Sequence, residues 1–482
     1  MNSKIAPESR RTLTILFVVL LLDLLAFTCI LPLFPSLMDY YAAKNAENPQ
    51  KDILFSWVNQ FSAQFQAFIG VPSIDRFHSV FFGGLLGSLF SLLQFISSPL
   101  LGALSDVYGR KRLLLFSVMG SLCSYILWAK AASFEVFVLS RIVGGLTKSS
   151  ISVATAVVAD VLPPISRNKG MIVIGLTFSL GFLLGPMFGA YFATRARTLD
   201  TGDFYVTPAC FAGGLTLLEG LCIWLLLPET LSDDKRHTTA RSILTGAWSY
   251  INPVSLFRFS SFGASLSKQD LNHVQRLGLI YFLYLFLYSG LEFTLTFLTH
   301  IELGYDSMRQ GKMFFVIGLL MMIMQGGFVR RVPASKQKQV AIVGLCVVIP
   351  AFVLVGLAVS TTFYVGLFLY CAASAMVVPA LTTLVSSYGS VKDKGALLGI
   401  FRSLGALARA FGPFLASVLF WSMGPFLCYF LCSCVFTLPL IILMTTKLHV
   451  NPAVEISNDN KLSLLDNNAN EIKNGHVNGK SI

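Results

Sequence analysis

Twelve apolar runs, each near the length of a bilayer crossing, constrain the fold of this chain more than any other feature. They cover residues 12–34, 78–101, 113–132, 134–160, 169–193, 206–228, 277–299, 312–329, 339–359, 362–388, 396–420 and 424–446. A helix needs about 20 apolar residues to cross the hydrocarbon core of a bilayer. In lipid every backbone N–H and C=O must be satisfied within the structure, and helices do this inside one segment. The runs therefore predict an all-α membrane protein with a twelve-transmembrane-helix bundle. Composition agrees: 12% of residues are charged, against roughly 25% in soluble domains. The first run holds Asp23, has Pro32 and Pro35 at its end, and is followed by no small-residue cleavage site. It reads as a first membrane helix rather than a cleaved signal.

The net charge of +12 does not mark a nucleic-acid partner, because the basic residues cluster in short loops between runs. Lys4, Arg10 and Arg11 precede the first helix, and Arg110 to Arg112 follow the second. Arg167 and Lys169 follow the fourth, Arg330, Arg331, Lys336 and Lys338 the eighth, and Lys392 and Lys394 the tenth. This alternation places both termini in the cytoplasm. The loop 194–205 runs against it, with Arg195 and Arg197 facing outward beside Asp200 and Asp203. All nine cysteines lie inside apolar runs as small hydrophobes, without disulfide or zinc spacing. No cofactor or metal is expected, and no nucleophile–base set or phosphate loop supports an enzyme.

The chain divides into a tail (1–11), a six-helix half (12–228), a polar linker (229–276), a second six-helix half (277–446) and a polar tail (447–482) that reads as disordered. Gly185-Pro186 late in the fifth helix recurs as Gly412-Pro413 late in the eleventh, the corresponding position, so the halves are pseudo-symmetric. Trp57, Phe61, Phe65 and Phe68, beside Asn59, Gln60 and Gln64, predict an amphipathic helix over 52–69 at the outer mouth. Trp248, Leu256, Phe257 and Phe259 predict that part of the linker lies on the membrane surface.

Seven charged groups lie within the runs away from their outermost residues: Asp23, Arg141, Lys148, Glu219, Glu292, Arg402 and Arg409. A charge at mid-helix costs ~2.5–3.5 kcal/mol on insertion scales, so it tends to face a cavity or a partner. Arg141 and Lys148 are seven residues apart, as are Arg402 and Arg409, so each pair shares a helix face. Asp23 and Glu292 are the candidate proton carriers; a static Asp23–Lys148 pair holding two helices is the alternative. Glu219 is expected to have a structural partner. Four cations against three anions favour an anionic substrate. Tyr288, one turn from Glu292, joins this candidate cavity.

Between the second and third helices stands Gly102-Ala-Leu-Ser-Asp106-Val-Tyr-Gly109-Arg110-Lys-Arg112. This turn resembles the loop between the second and third helices of major facilitator superfamily transporters. Further patches carry the same resemblance. Leu22-Asp23-Leu24-Leu25 with Leu31-Pro32-Leu33-Phe34-Pro35 is similar to the tetracycline/proton antiporter group, and Arg141-Ile-Val-Gly144-Gly145 resembles the family's buried-arginine motif. Gly181-x-x-x-Gly185-Pro186-x-x-Gly189-Ala190 resembles the antiporter motif, and Leu227-Pro228-Glu229-Thr230 ends the sixth helix in a common family manner.

The resemblance implies that the first, fourth, seventh and tenth helices line a central cavity, with Asp23, Arg141, Lys148 and Glu292 pointing into it. It also implies a cytoplasmic gate in which Asp106 and Asp160 pair with Arg110, stabilising the outward-facing state. The glycine motif and Pro186, with Gly412 and Pro413, serve close helix packing and a kink. The expected function is proton-coupled transport of a small organic anion by alternating access, by a monomer in the lipid bilayer. The plasma membrane is the expected location, with internal membranes including the nuclear envelope also open. Export of cationic or amphiphilic drugs is the competing transport reading, and a non-transporting scaffold the competing class.

Overall fold

The computed structural model describes residues 6–47, 52–69, 78–163, 167–199, 203–231, 251–262, 266–327, 332–388 and 394–446. Among these the regular structure is helical throughout, without a strand. Eleven helices are long and apolar enough to cross a membrane, and the last of them, Leu397–Thr445, runs 49 residues. One straight helix of that length would reach on the order of 70 Å, more than twice the ~30 Å hydrocarbon core. It turns at Gly424, whose φ of 81° and ψ of 170° are not helical, and so makes two crossings. The count of twelve follows.

The first crossing is Pro7–Thr28, a 3₁₀ turn at Leu31–Leu33 and Phe34–Glu47. The second is His78–Tyr108, the third Arg110–Ala129, and the fourth Phe134–Thr147 with Ser150–Val161. Arg167–Leu199 and Val206–Leu226 complete the first half. The second half holds Lys268–Ile301, Ser307–Gly327, Gln337–Gly356, Ser360–Ser386 and the kinked pair within Lys394–Val435 and Thr437–Thr445.

Glycine determines which helices touch. Gly181, Gly185 and Gly189 turn one face of the fifth helix onto Leu24, Thr28 and Cys29 of the first. A Cβ on Gly189 would stand 2.7 Å from the carbonyl carbon of Cys29, and the Thr28 hydroxyl donates to the Gly181 carbonyl at 2.9 Å. The second half repeats this with the eleventh helix on the seventh. A Cβ on Gly412 would stand 2.5 Å from Ser289 Oγ, and one on Gly290 2.6 Å from the Gly412 carbonyl oxygen. The halves then join through helices of opposite halves. Phe81 of the second helix meets Trp421 at 5.0 Å, and a Cβ on Gly311 of the eighth would meet the Pro186 carbonyl of the fifth at 3.2 Å.

Four local expectations change. The fourth helix is not continuous across Arg141 and Lys148: Lys148 has an extended ψ of 92° and separates two helical pieces. The Ser117 hydroxyl of the third helix donates to the Thr147 carbonyl at 2.7 Å and accepts from the Ser149 N–H at 3.1 Å. Broken backbone at membrane depth is tolerated where a neighbouring helix satisfies it. The first helix extends past 34 to Glu47. The seventh begins at Lys268 rather than 277, capped by Ser267, which accepts from the Asp270 N–H at 3.1 Å and donates to its carboxylate at 2.7 Å.

The linker's Leu256 and Phe259 are buried in the bundle rather than spread on a membrane surface. Phe259 takes a left-handed φ of 49°, and its ring lies against Gly278. Trp248 and the tail 447–482 lie outside the described residues. The helix expected over 52–69 is present as Ile53–Ile69; Phe55, Val58 and Ser62 turn inward and Ile53, Trp57 and Phe61 outward. The side chains of Phe65 and Phe68 lie outside the description.

Candidate functional site

Two polar constellations lie inside the bundle, one in each half. In the first half Asp23 and Lys148 form an ion pair with side-chain exposures of 2% and 4%. The helix break at Lys148 sets its ammonium on Asp23 and 5.1 Å over the Phe27 ring. Arg141, one helical piece away, is also buried, flanked by Trp128 at 5.7 Å and Phe137 at 5.4 Å. Its Nε donates to Ser140 at 3.3 Å, while Nη2 has no partner among the described residues. Arg141 and Lys148 line one small cleft with Ser121, Ser124 and Tyr125. A buried guanidinium with an unused N–H beside an ammonium can receive an anionic oxygen.

Glu219 does not find the structural partner expected of it. It is fully buried, and neither carboxylate oxygen accepts a hydrogen bond among the described residues.

At the end of the second helix the turn folds as its residue types require. Gly109 has φ 99°, a conformation that costs any residue with a Cβ. Arg110 then points back under the turn. It reaches Asp106 at 2.5 Å, Asp160 of the fourth helix at 2.9 Å and Ser105 Oγ at 2.5 Å, so both expected carboxylate partners are found. Gly102 lets the second helix approach Ser152 of the fourth. One contact escaped sequence reasoning: Glu229 accepts from the Arg110 and Lys111 backbone N–H groups at 2.9 and 3.2 Å, capping the third helix. A carboxylate at a helix N-terminus also meets the positive end of the macrodipole. The whole latch belongs to the first half.

The second half is built differently. Glu292 has no cationic ion-pair partner among the described residues and accepts instead from the Tyr370 hydroxyl at 3.0 Å. Tyr288 stacks on Tyr370 at 5.2 Å and 4° and donates to Ser374 at 2.8 Å. Tyr288 thus joins Glu292 through Tyr370 of the tenth helix, which the sequence did not single out. Arg402 and Arg409 are exposed on one face of the eleventh helix, as their spacing requires. Arg402 reaches across to the other half, donating to Thr155 at 2.8 Å, and does not join Asp23. Away from the latch the halves meet again, through Phe34 on Phe293 at 5.7 Å and His300 on Asp39 at 2.8 Å.

Charges held inside a bundle of two similar helical halves, with an ion-pair cluster at one end, fit a membrane transporter. A model of the Major Facilitator Superfamily matches residues 16–413; the chain belongs to this superfamily. It is a multi-pass membrane transporter and not an enzyme. Major facilitator superfamily domain-containing protein 10 of Mus musculus is 42% identical over 444 residues, 91% of this chain and 94% of that protein. The crystal structure of the human organic anion transporter MFSD10 (TETRAN) superposes with a TM-score of 0.72 at 42% identity, covering 91% of this chain and 100% of that one. The class E tetracycline resistance protein of Escherichia coli is 25% identical over 420 residues, covering 85% of this chain and 88% of its own.

Proposed function

We propose that the protein carries small organic anions across its membrane, coupled to protons, by rocking the half at 12–228 against the half at 277–446. The observation that carries this reading is the buried first-half cleft, where Arg141 keeps an unpaired Nη2 beside the Lys148 ammonium. An organic carboxylate entering it would find an Arg fork and a second cation. The similarity to a protein described as an organic anion transporter supports the substrate class. Asp23 is the proton carrier in this scheme. A substrate anion that draws Lys148 away leaves its carboxylate without a counter-ion in a dry site, and protonation is then the neutral solution. Glu292 serves as a second titrating site, and the Arg110–Asp106–Asp160 latch opens when the cleft faces its side.

One observation favours a second reading. Glu292 has no cationic ion-pair partner among the described residues and stands beside the stacked rings of Tyr288 and Tyr370, which suits a cationic or amphiphilic drug, and the tetracycline resistance relatives point the same way.

Uptake of labelled organic anions and cations into proteoliposomes, with and without a pH gradient, separates the two. Gradient-dependent anion uptake that is lost in Asp23→Asn supports the proposal; movement of cations alone replaces it with the second reading.

A further inference from the structure

We propose that Glu219 is a second seat for the transported proton, so that Asp23 and Glu219 share one proton while Lys148 pairs with whichever of them is ionised. The inference rests on the proton-coupled reading above and adds a residue to it. Glu219 lies on the buried stripe of the sixth helix formed by Ala212, Thr216, Glu219 and Ile223, and so points into the first half rather than to lipid. It is fully buried. Both of its oxygens, and Asp23 Oδ2, lack a hydrogen-bond partner among the described residues. The sixth helix packs against the first, which carries Asp23, and against the third, which carries Tyr125. Other buried titratable groups of this half include Cys29 of the first helix, Tyr125 of the third and Arg141 of the fourth; Arg141 lies over the rings of Trp128 and Phe137 and keeps its charge and an unpaired Nη2.

Burial sets the state. Neither oxygen of Glu219 has a hydrogen bond or an ion pair among the described residues, so its ionised form would be an uncompensated charge in a dry site, and one proton removes it. Lys148 sits on Asp23 in this structure, which places the proton on Glu219. A second neutral arrangement exists. The O–H bond on Glu219 breaks, its electron pair remains as the Glu219 carboxylate, and an O–H bond forms on the unpartnered Oδ2 of Asp23. Lys148 moves with the negative charge to Glu219. No net charge moves across the cluster, and the proton passes from the walled-off acid to the one whose counter-ion lines the cleft.

The test reads protonation and transport separately on the full chain. Infrared spectra of the purified protein should show a protonated-carboxyl band that is lost in Glu219→Gln. The same band should vanish in Asp23→Asn, because Lys148 is then free to ionise Glu219, and should return in Asp23→Asn/Lys148→Gln, which removes the cation. A band untouched by Glu219→Gln, or one that persists in Asp23→Asn, overturns the shared proton. In proteoliposomes the pH profile of uptake should flatten in Glu219→Gln and recover in Glu219→Asp; an unchanged profile in Glu219→Gln overturns its part in coupling. A wild-type protein that ignores pH altogether defeats the proton-coupled reading, and the infrared arm still decides whether the two acids share a proton.

Discussion

The two halves use the same packing and different chemistry. Gly185 seats the fifth helix on the first, and Gly412 seats the eleventh on the seventh, so each half holds a core helix against its partner in the same manner. On that shared frame the first half places a buried ion pair, an arginine between aromatic rings and an acid without partners. The second places a carboxylate on a stack of tyrosines. A buried ion pair is tuned to changes in charge. A tyrosine stack presents a surface whose polarity is small and adjustable. The ion pair and the unpaired arginine Nη2 lie in the first half and the tyrosine-bound carboxylate in the second, so what each half contributes can be tested separately.

The largest effect should come from Lys148→Ala, which strands the Asp23 carboxylate in a dry site; losing one partner of a buried pair costs ~3–5 kcal/mol. Thermal unfolding in detergent should show that loss together with loss of uptake. Asp23→Asn/Lys148→Gln should regain much of the stability and none of the coupling. A double variant as unstable as Lys148→Ala would mean that the pair is the frame itself rather than a charge placed upon it.

Next in size is the packing repeat. A side chain at Gly185 would be driven into Thr28 and the Leu25 carbonyl, and one at Gly412 into Ser289 and the Phe286 carbonyl. Gly185→Val and Gly412→Val should each cost ~1–3 kcal/mol by overpacking. Unequal losses in the two halves, read from unfolding midpoints, would sharpen the comparison by showing which interface carries the strain.

Arg110→Gln removes three interactions from the latch, each with a charged or hydroxyl oxygen. Asp106 is 38% exposed and regains water, and the glutamine amide keeps part of the hydrogen bonding, so the net loss should be ~1 kcal/mol. Uptake should fall while the Asp23 dependence of coupling persists, because the latch and the cluster are separate. The smallest expected effect is Tyr370→Phe. It deletes one hydrogen bond to Glu292, ~0.5–1.5 kcal/mol, and should change the KM for substrate more than the proton dependence. A flattened pH response in that variant would move part of the coupling into the second half.

What could be read from the chain followed physical periodicity. Twelve crossings were legible because lipid leaves an apolar run no other regular structure, and Asp106 and Arg110 were legible because the turn that joins them is short; Asp160, 50 residues from Arg110, was legible only through the family resemblance. The fourth-helix break was not. The run continues through Lys148, and its interruption depends on Ser117 from another helix. Tyr370 and Ser374 were missed for the same reason, and Glu229, named only as part of the sixth helix's end, was not placed at the third: each reaches its partner from a different element, at no fixed spacing. Leu256 and Phe259 were misplaced because an apolar residue in a polar linker can be buried as easily as it can lie on lipid. Glu219 was visible as a charge, but its lack of partners is a three-dimensional fact.

The measurement that tests the central claim most directly is proton movement driven by substrate. A pH-sensitive dye inside proteoliposomes, with no imposed gradient, should report a proton signal when an organic anion is added to the wild-type protein, and no signal with Asp23→Asn of equal fold and amount. An undiminished signal with Asp23→Asn would contradict the account, since the proton would then travel by a route that does not pass through the first-half cluster.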